Sequence, residues 1–160
     1  MSIGEHFVKL IFDKDFKSQI NFLKKVTLFE GVSDRALGKI TGIMHSKKYP
    51  AGETVFSEGQ EGKLLYIIKA GEIAIVKGNK TISTLGAGEF FGEMALLEEI
   101  PRTAAAVAAK DSELILVYKV KFDELLESYP AAGVKVVKNI AAMLSSRIRQ
   151  MQNSQHGTTD

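Results

Sequence analysis

The spacing of apolar and polar residues changes period twice along the chain. In the first third, Phe16, Ile20 and Leu23 recur at i, i+4 and i+7, with Lys17, Lys24 and Lys25 on other faces. That spacing predicts an amphipathic helix. "VSDRALGKITGIM" predicts a second one, which Ser33 or Asp34 can cap and whose apolar stripe is Leu37, Ile40 and Met44. Gly38 and Gly42 each weaken it by about 1 kcal/mol relative to alanine. Near residue 45 the period falls to two. Short alternating runs are separated by Pro50 with Gly52, Glu58-Gly59, Ala70-Gly71, Gly78-Asn79 and Gly86-Ala87-Gly88, which read as turns. "LLYIIKAGEIAIVKGNKTISTL" contains three strands, with Ile73 and Ile75 facing one way, and "ELILVYKV" (113–120) adds another. From "KFDELLESYP" the helical period returns, and Pro130 ends one short helix near Tyr129. A last helix, from Val134 to Met151, places Val137, Ile140, Ala141, Leu144, Ile148 and Met151 at helical spacing. Its other face is Lys138, Asn139, Ser145, Arg147, Gln150 and Gln152.

Helices, then many short strands with regular turns, then helices define an α+β chain that is mainly β. The strands suit a barrel or a double-sheet roll. At 160 residues the chain fits one domain, able to bury about two-thirds of its unfolded surface without a metal or disulfide. Cysteine is absent, which excludes thiolate metal sites and thiol nucleophiles and fits a reducing compartment. "MSIGEHFVKLIFDKD" carries charges inside its apolar stretch, unlike a signal peptide. No apolar run approaches the ~20 residues of a membrane span. A cytoplasmic location is therefore expected. A net charge of +2 from scattered lysines gives no footprint for nucleic acid. The polar tail "NSQHGTTD" (153–160) is expected to be disordered.

One segment breaks the strand pattern: "GEFFGEMALLEEIPRTAAAVAA", residues 88–109. "FGEMALLEE" is a poor strand and a good short helix led by glycine, so its free N–H groups can face an anion. Arg102 follows a proline that fixes its approach, and a guanidinium can grip two phosphate oxygens at once. Thr103 to Ala106 are small enough for backbone amides to approach a ligand closely. Glu93 beside an anion site makes sense if the ligand also offers hydroxyl donors, as a ribose does. Anion plus hydroxyl points to a nucleotide-like ligand. Taken singly, each residue has a plainer account. Arg102 would pair on the surface with Glu98 or Glu99, and Glu93 would merely offset a helix dipole.

"FGEMALLEEIPRTAA" resembles the phosphate-binding cassette of the cyclic nucleotide-binding domain family, together with "YPAGETVFSEGQEG", "LYIIKAGEIAIV" and "FDELLESYP". That family includes kinase regulatory subunits, nucleotide-gated channels and catabolite activator-type transcription factors. The resemblance runs from about Leu28 to Met151 and implies a jelly-roll-like double-sheet β-roll, about 45–120, with lid helices, about 121–152. Residues 1–27 would then be an N-terminal helical extension to a binding domain at 28–152. Carried onto this chain, the resemblance implies that Arg102 neutralises a cyclic phosphate and Glu93 accepts the ribose 2′-hydroxyl. Gly92 leaves room for the sugar, and the N–H groups of Ala95 and Thr103 complete the cradle, with Met94 and Ala104 beside them. Thr103 stands next to the purine and is compatible with cAMP or cGMP; cAMP is the preferred reading. Arg147 or Arg149 on the last helix is a possible contact to the base, although a solvated helix end explains both. Ala105-Ala106 depart from the family's frequent Thr-Val, at positions that hold no phosphate.

The function expected is a cyclic nucleotide sensor that passes ligand occupancy to an unknown protein effector through movement of the C-terminal helix. Alternatives are the ligand-binding part of a transcription regulator and a scaffold domain with an empty pocket. The chain ends at Asp160 without a helix-turn-helix after its long helix, so DNA binding is not expected. No catalytic residues, cofactor or metal are expected. His6, His45 and His156 are the only histidines and form no ligand cluster in the sequence. Pairing into a homodimer through the amphipathic helices is left open.

Overall fold

The computed structural model describes residues 14–156. Residues 1–13 of the expected extension, with His6, and residues 157–160 of the expected tail lie outside the described residues. A first helix, α1, is described from 14 to 23, and a 3-10 turn follows at Thr27–Phe29. Helix α2 spans Asp34–Thr41, and Ser33 is its cap, its hydroxyl accepting from the Ala36 N–H at 3.4 Å. Leu37 and Ile40 are buried as the stripe predicts, but Met44 lies outside the helix. Gly42 is the C-cap, with its N–H turned back to Ile40 and Lys39, and the alternating pattern starts at Met44 itself.

Eight strands follow the predicted order: β1 (Met44–Tyr49), β2 (Thr54–Phe56), β3 (Leu64–Ala70), β4 (Glu72–Lys77), β5 (Lys80–Gly86), β6 (Phe90–Phe91), β7 (Ala105–Ala108) and β8 (Ser112–Tyr118). The short helix α3 (Met94–Leu97) stands between β6 and β7. The strands form two antiparallel four-stranded sheets, ordered β1-β8-β3-β6 and β2-β7-β4-β5.

In the first sheet the edge strand β1 is mostly exposed, whereas β3 and β8 are buried on both faces, and the alternation along them decides which core each side chain joins. Tyr66, Ile68, Leu114, Leu116 and Phe91 meet Phe56, Ile73 and Ala106 in the core between the sheets. Leu65, Ile67, Val117 and Phe90 turn to the opposite core, where Leu23, Leu28, Leu37 and Ile40 come from the N-terminal helices and Phe122, Val136 and Ile140 from the C-terminal ones. The second sheet leaves β5 largely exposed, Ile82 included.

Helix α4 (Lys119–Ser128) stops at Tyr129, and α5 (Pro130–His156) starts at once. Proline suits the first position of a helix, because its missing N–H would have no partner there. Thus Pro130 separates two helices, and α5 begins four residues before the predicted Val134 and runs through residues 153–156, where a polar tail was expected. Asn139 fastens α5 to the 3-10 turn, its amide donating to Leu28 O and Glu30 O, both at 3.0 Å. On its outer side α5 exposes Val134, Val137, Ile148 and Met151.

Candidate functional site

The two sheets and α5 converge on the segment that interrupts the strand pattern. β6 pairs with β3 through Tyr66 opposite Phe91 and Ile67 opposite Phe90, so the chain reaches Gly92 at a fixed height. There it turns with φ of 77°, a left-handed value open to glycine. A Cβ at 92 would stand 2.7 Å from Arg102 Nη1 and 3.1 Å from Leu64 O. The resemblance implied room for a sugar at Gly92. What the missing side chain leaves room for in the structure is the Arg102 guanidinium.

Arg102 is held at both backbone and side chain. Its N–H donates to Gln60 O at 2.8 Å, and its carbonyl accepts from the Gly59 N–H at 2.8 Å. The residue is only 8 % exposed. Nη2 donates to Leu64 O at 2.7 Å and Nη1 to Gly92 O at 3.2 Å, while Nε is buried without a partner. Beneath it lies an aromatic shelf. The guanidinium carbon sits 4.2 Å from the Phe56 ring centroid and 5.7 Å from that of Tyr66, which in turn stacks on Phe91. Burial lowers the pKa of Arg102, with Tyr66 and Glu93 opposing the shift. Arginine nevertheless stays charged, because its intrinsic pKa is so high. Burial also raises the pKa of the Tyr66 hydroxyl, and Tyr49 adds to that shift.

No carboxylate lies within ion-pair distance of Arg102 among the described residues. The surface pairing with Glu98 or Glu99 is therefore not formed. A buried cation that meets two carbonyls and no carboxylate, with its Nε left unpartnered, is costly alone and suited to an anion.

Glu93, 4 % exposed, begins the turn into α3. Its Oε1 accepts from Arg147 Nη1 of α5 at 2.9 Å. A second Arg147 contact, Nη2 to Phe90 O, is long at 3.5 Å. Arg147 is therefore brought to the site, through Glu93. Arg149 instead donates to Ser145 on the exposed side of α5 at 2.8 Å.

Ala95 is buried, and its N–H donates to Gly92 O at 3.2 Å within the first turn of α3. Met94 and Thr103 are exposed and Ala104 is half-buried, so Thr103 is accessible on the segment leading into β7.

Several residues of the site were not singled out in the sequence: Phe56 and Tyr66 of the shelf, Leu64 O, Gly62 beside the guanidinium and Lys119. Lys119 Nζ donates to Leu96 O at 3.3 Å and so ties α4 to α3. Among the described residues, no group of His, Cys, Asp or Glu could hold a metal ion, and no helix is long and apolar enough to cross a membrane.

A fold of two four-stranded sheets closed by helices, with a buried arginine and carboxylate on one cassette, defines a ligand-binding class of domain. The family model for the cyclic nucleotide-binding domain matches residues 46–129, and the chain belongs to that family. It is 32 % identical over 133 residues to a cyclic AMP receptor protein of Thermus thermophilus, covering 80 % of this chain and 60 % of that protein. To a cGMP-dependent protein kinase of Toxoplasma gondii it is 37 % identical over 114 residues, covering 71 % of this chain and 12 % of the kinase. The chain thus spans less than two-thirds of the length of each of these relatives. Among solved structures, a cyclic nucleotide-binding domain from Methylobacillus flagellatus superposes with a TM-score of 0.79 at 27 % identity, covering 92 % of this chain and 86 % of that one. The chain is accordingly a cyclic nucleotide-binding regulatory domain.

Proposed function

We propose that this domain senses cAMP in preference to cGMP and reports its occupancy to a protein effector through α5, in the cytoplasm and without catalysing a reaction. The observation that carries this reading is the pairing of opposite needs on one segment. Arg102 is a buried cation with a spare donor, and Glu93 is a buried carboxylate a few residues away. A cyclic phosphate answers the first and a ribose hydroxyl the second. Gly92, Met94, Ala95, Thr103 and Ala104 line the cradle between them. The preference for cAMP leans on the cyclic AMP receptor protein, which matches 80 % of the chain, against 71 % for the cGMP-dependent kinase.

Transmission follows from Arg147. Its bond to Glu93 Oε1 ties α5 to the carboxylate that a ribose would use. A ligand that takes over Glu93 weakens this tie and shifts the population of α5 positions. A differential affinity of ~1–3 kcal/mol between those positions would change effector affinity by the same factor. The exposed residues Val134, Val137, Ile148 and Met151 on α5 favour a second copy of the chain as one partner.

Calorimetric titration with cAMP and with cGMP, repeated on Arg102→Ala, tests the reading. Micromolar binding that disappears in the variant is expected. Absence of heat and of any thermal shift with either nucleotide, on protein freed of copurified ligand, would overturn it and leave a scaffold domain. Sedimentation of the native chain and of Ile148→Glu decides the pairing: a dimer that dissociates in the variant is expected.

A further inference from the structure

In the loop between β2 and β3, Gly62 lies against the Arg102 guanidinium. We propose that Gly62 is a positioning residue of the anion site, one that fixes where Arg102 presents its Nε donor; the effect on nucleotide affinity rests on the function proposed above.

A Cβ built at Gly62 would stand 2.8 Å from Arg102 Nε, 2.9 Å from its Cζ and 3.0 Å from the Ala95 Cβ. Non-bonded heavy atoms settle at about 3.5–4.0 Å, so a methyl there cannot be accommodated without a shift. The glycine is not present for its backbone. Among the described residues the positive-φ glycines are Gly31, Gly52, Gly59, Gly71, Gly78, Gly88 and Gly92, and Gly62 is not among them. Gly59, in the same loop, shows the contrast: its φ is 81° and a Cβ there would meet nothing within 4 Å. Gly59 makes the turn, whereas Gly62 makes the close approach.

The guanidinium has no easy way to yield. The Arg102 backbone is bonded to Gly59 and Gln60, Pro101 bridges to Glu61, and the two terminal nitrogens are bonded to Gly92 O and Leu64 O. Phe56 closes one face at 4.2 Å. Nε is the guanidinium nitrogen left buried and without a partner. An acceptor oxygen bonds to such a nitrogen at about 2.9 Å. That is the shell a Cβ at residue 62 would occupy. A side chain at this position would therefore push the guanidinium off its carbonyls or take the place of an anion's oxygen at Nε.

The test is Gly62→Ala, read by calorimetry with cAMP and by thermal melting in two backgrounds. Nucleotide affinity is expected to fall about 30-fold or more. Melting should depend on the background: G62A lowers Tm in the native chain and lowers it much less with Arg102→Ala, where the guanidinium contact is gone and only the 3.0 Å approach to the Ala95 Cβ remains. Native affinity in G62A would overturn the proposal, as would an equal Tm change in both backgrounds. If G62A alone does not fold, recovery in G62A/R102A supports the contact and continued failure refutes it. Should the native chain bind neither nucleotide, the functional reading fails, while the difference in the melting change between the two backgrounds still decides whether Gly62 positions Arg102.

Discussion

Arg102 and Glu93 lie on one segment and are equally buried, yet they are held in opposite ways. Arg102 is bonded to main-chain carbonyls of β3 and of the turn before α3, and it rests on rings from the core between the sheets. Those atoms move only if the roll moves. Glu93 is bonded to Arg147 of α5, a side chain that is 39 % exposed. That partner can leave without disturbing a strand. Under the proposed function the difference would assign distinct duties: the arginine a fixed receptor for charge, and the carboxylate the point where a ligand meets a movable element.

The largest effect should come from the fixed half. Arg102→Ala is expected to weaken nucleotide binding by more than about 100-fold, since a charged group contributes ~1.5–3 kcal/mol per hydrogen bond and a phosphate engages several. Arg102→Lys should recover only a small part of this, because a point charge cannot span the fork geometry. Titration calorimetry on both variants checks the order. If lysine binds as tightly as arginine, the fixed geometry is irrelevant and the comparison fails.

The carboxylate should matter less. Glu93→Gln keeps an acceptor but removes its charge, so affinity should fall about tenfold, or ~1.4 kcal/mol. The loss should be the same for cAMP and cGMP, which share their sugar. A 2′-deoxy analogue sharpens the point: it should bind the native chain weakly and should gain no further penalty in E93Q.

Why these two residues could be read from the sequence, and their supports could not, is a matter of distance along the chain. Glu93 and Arg102 share one short segment with its glycine and proline, so their chemistry is visible together. Phe56, Leu64 and Tyr66 reach the guanidinium from strands whose alternation tells which way they face but not which ring meets which cation. Arg147 left a trace that a charge count hides. It follows the buried Ile140 by seven residues and the half-buried Met143 by four, and so continues the inward stripe of α5. A solvated helix end was the plainer reading, and the structure replaces it with an ion pair. Gly62 was masked by its neighbour Gly59, because both look like turn residues until the backbone angles are known. Met44 shows the limit at a boundary, where helical spacing continued past a glycine that had already ended the helix.

Arg147 tests the movable half directly, with a smaller effect of the opposite sign. Arg147→Gln removes the group a ligand must displace, so cAMP affinity should rise ~3- to 10-fold, in the manner of a lifted conformational cost. The free protein should meanwhile melt lower, because Glu93 loses its cation while buried. A fall in affinity would instead make Arg147 a ligand contact, and the carboxylate would no longer be the coupling point.

Glu113 on β8 offers the mildest test, a carboxylate whose partners sit on strands and whose surroundings hold no ligand chemistry. Lys69 Nζ lies 2.8 Å and Ser46 Oγ 2.7 Å from its Oε1, and these bonds, Lys69 first, hold its pKa below the ordinary 4.5. A lowered folded pKa means that the stabilisation is complete above the unfolded value and is lost as pH falls through the folded one. Both partners are solvent-screened, so the pair contributes only ~0.5 kcal/mol. Lys69→Met should therefore lower stability by about that amount at pH 7 and by nothing once acid has protonated Glu113. Denaturant melts of both proteins across that range check the sign. Nucleotide affinity should be the same in native and variant proteins at neutral pH, because nothing connects this carboxylate to α5. If affinity changed as much as in R147Q, carboxylate–cation pairs anywhere on the roll would tune the site, and Glu93 would lose its special place in the comparison.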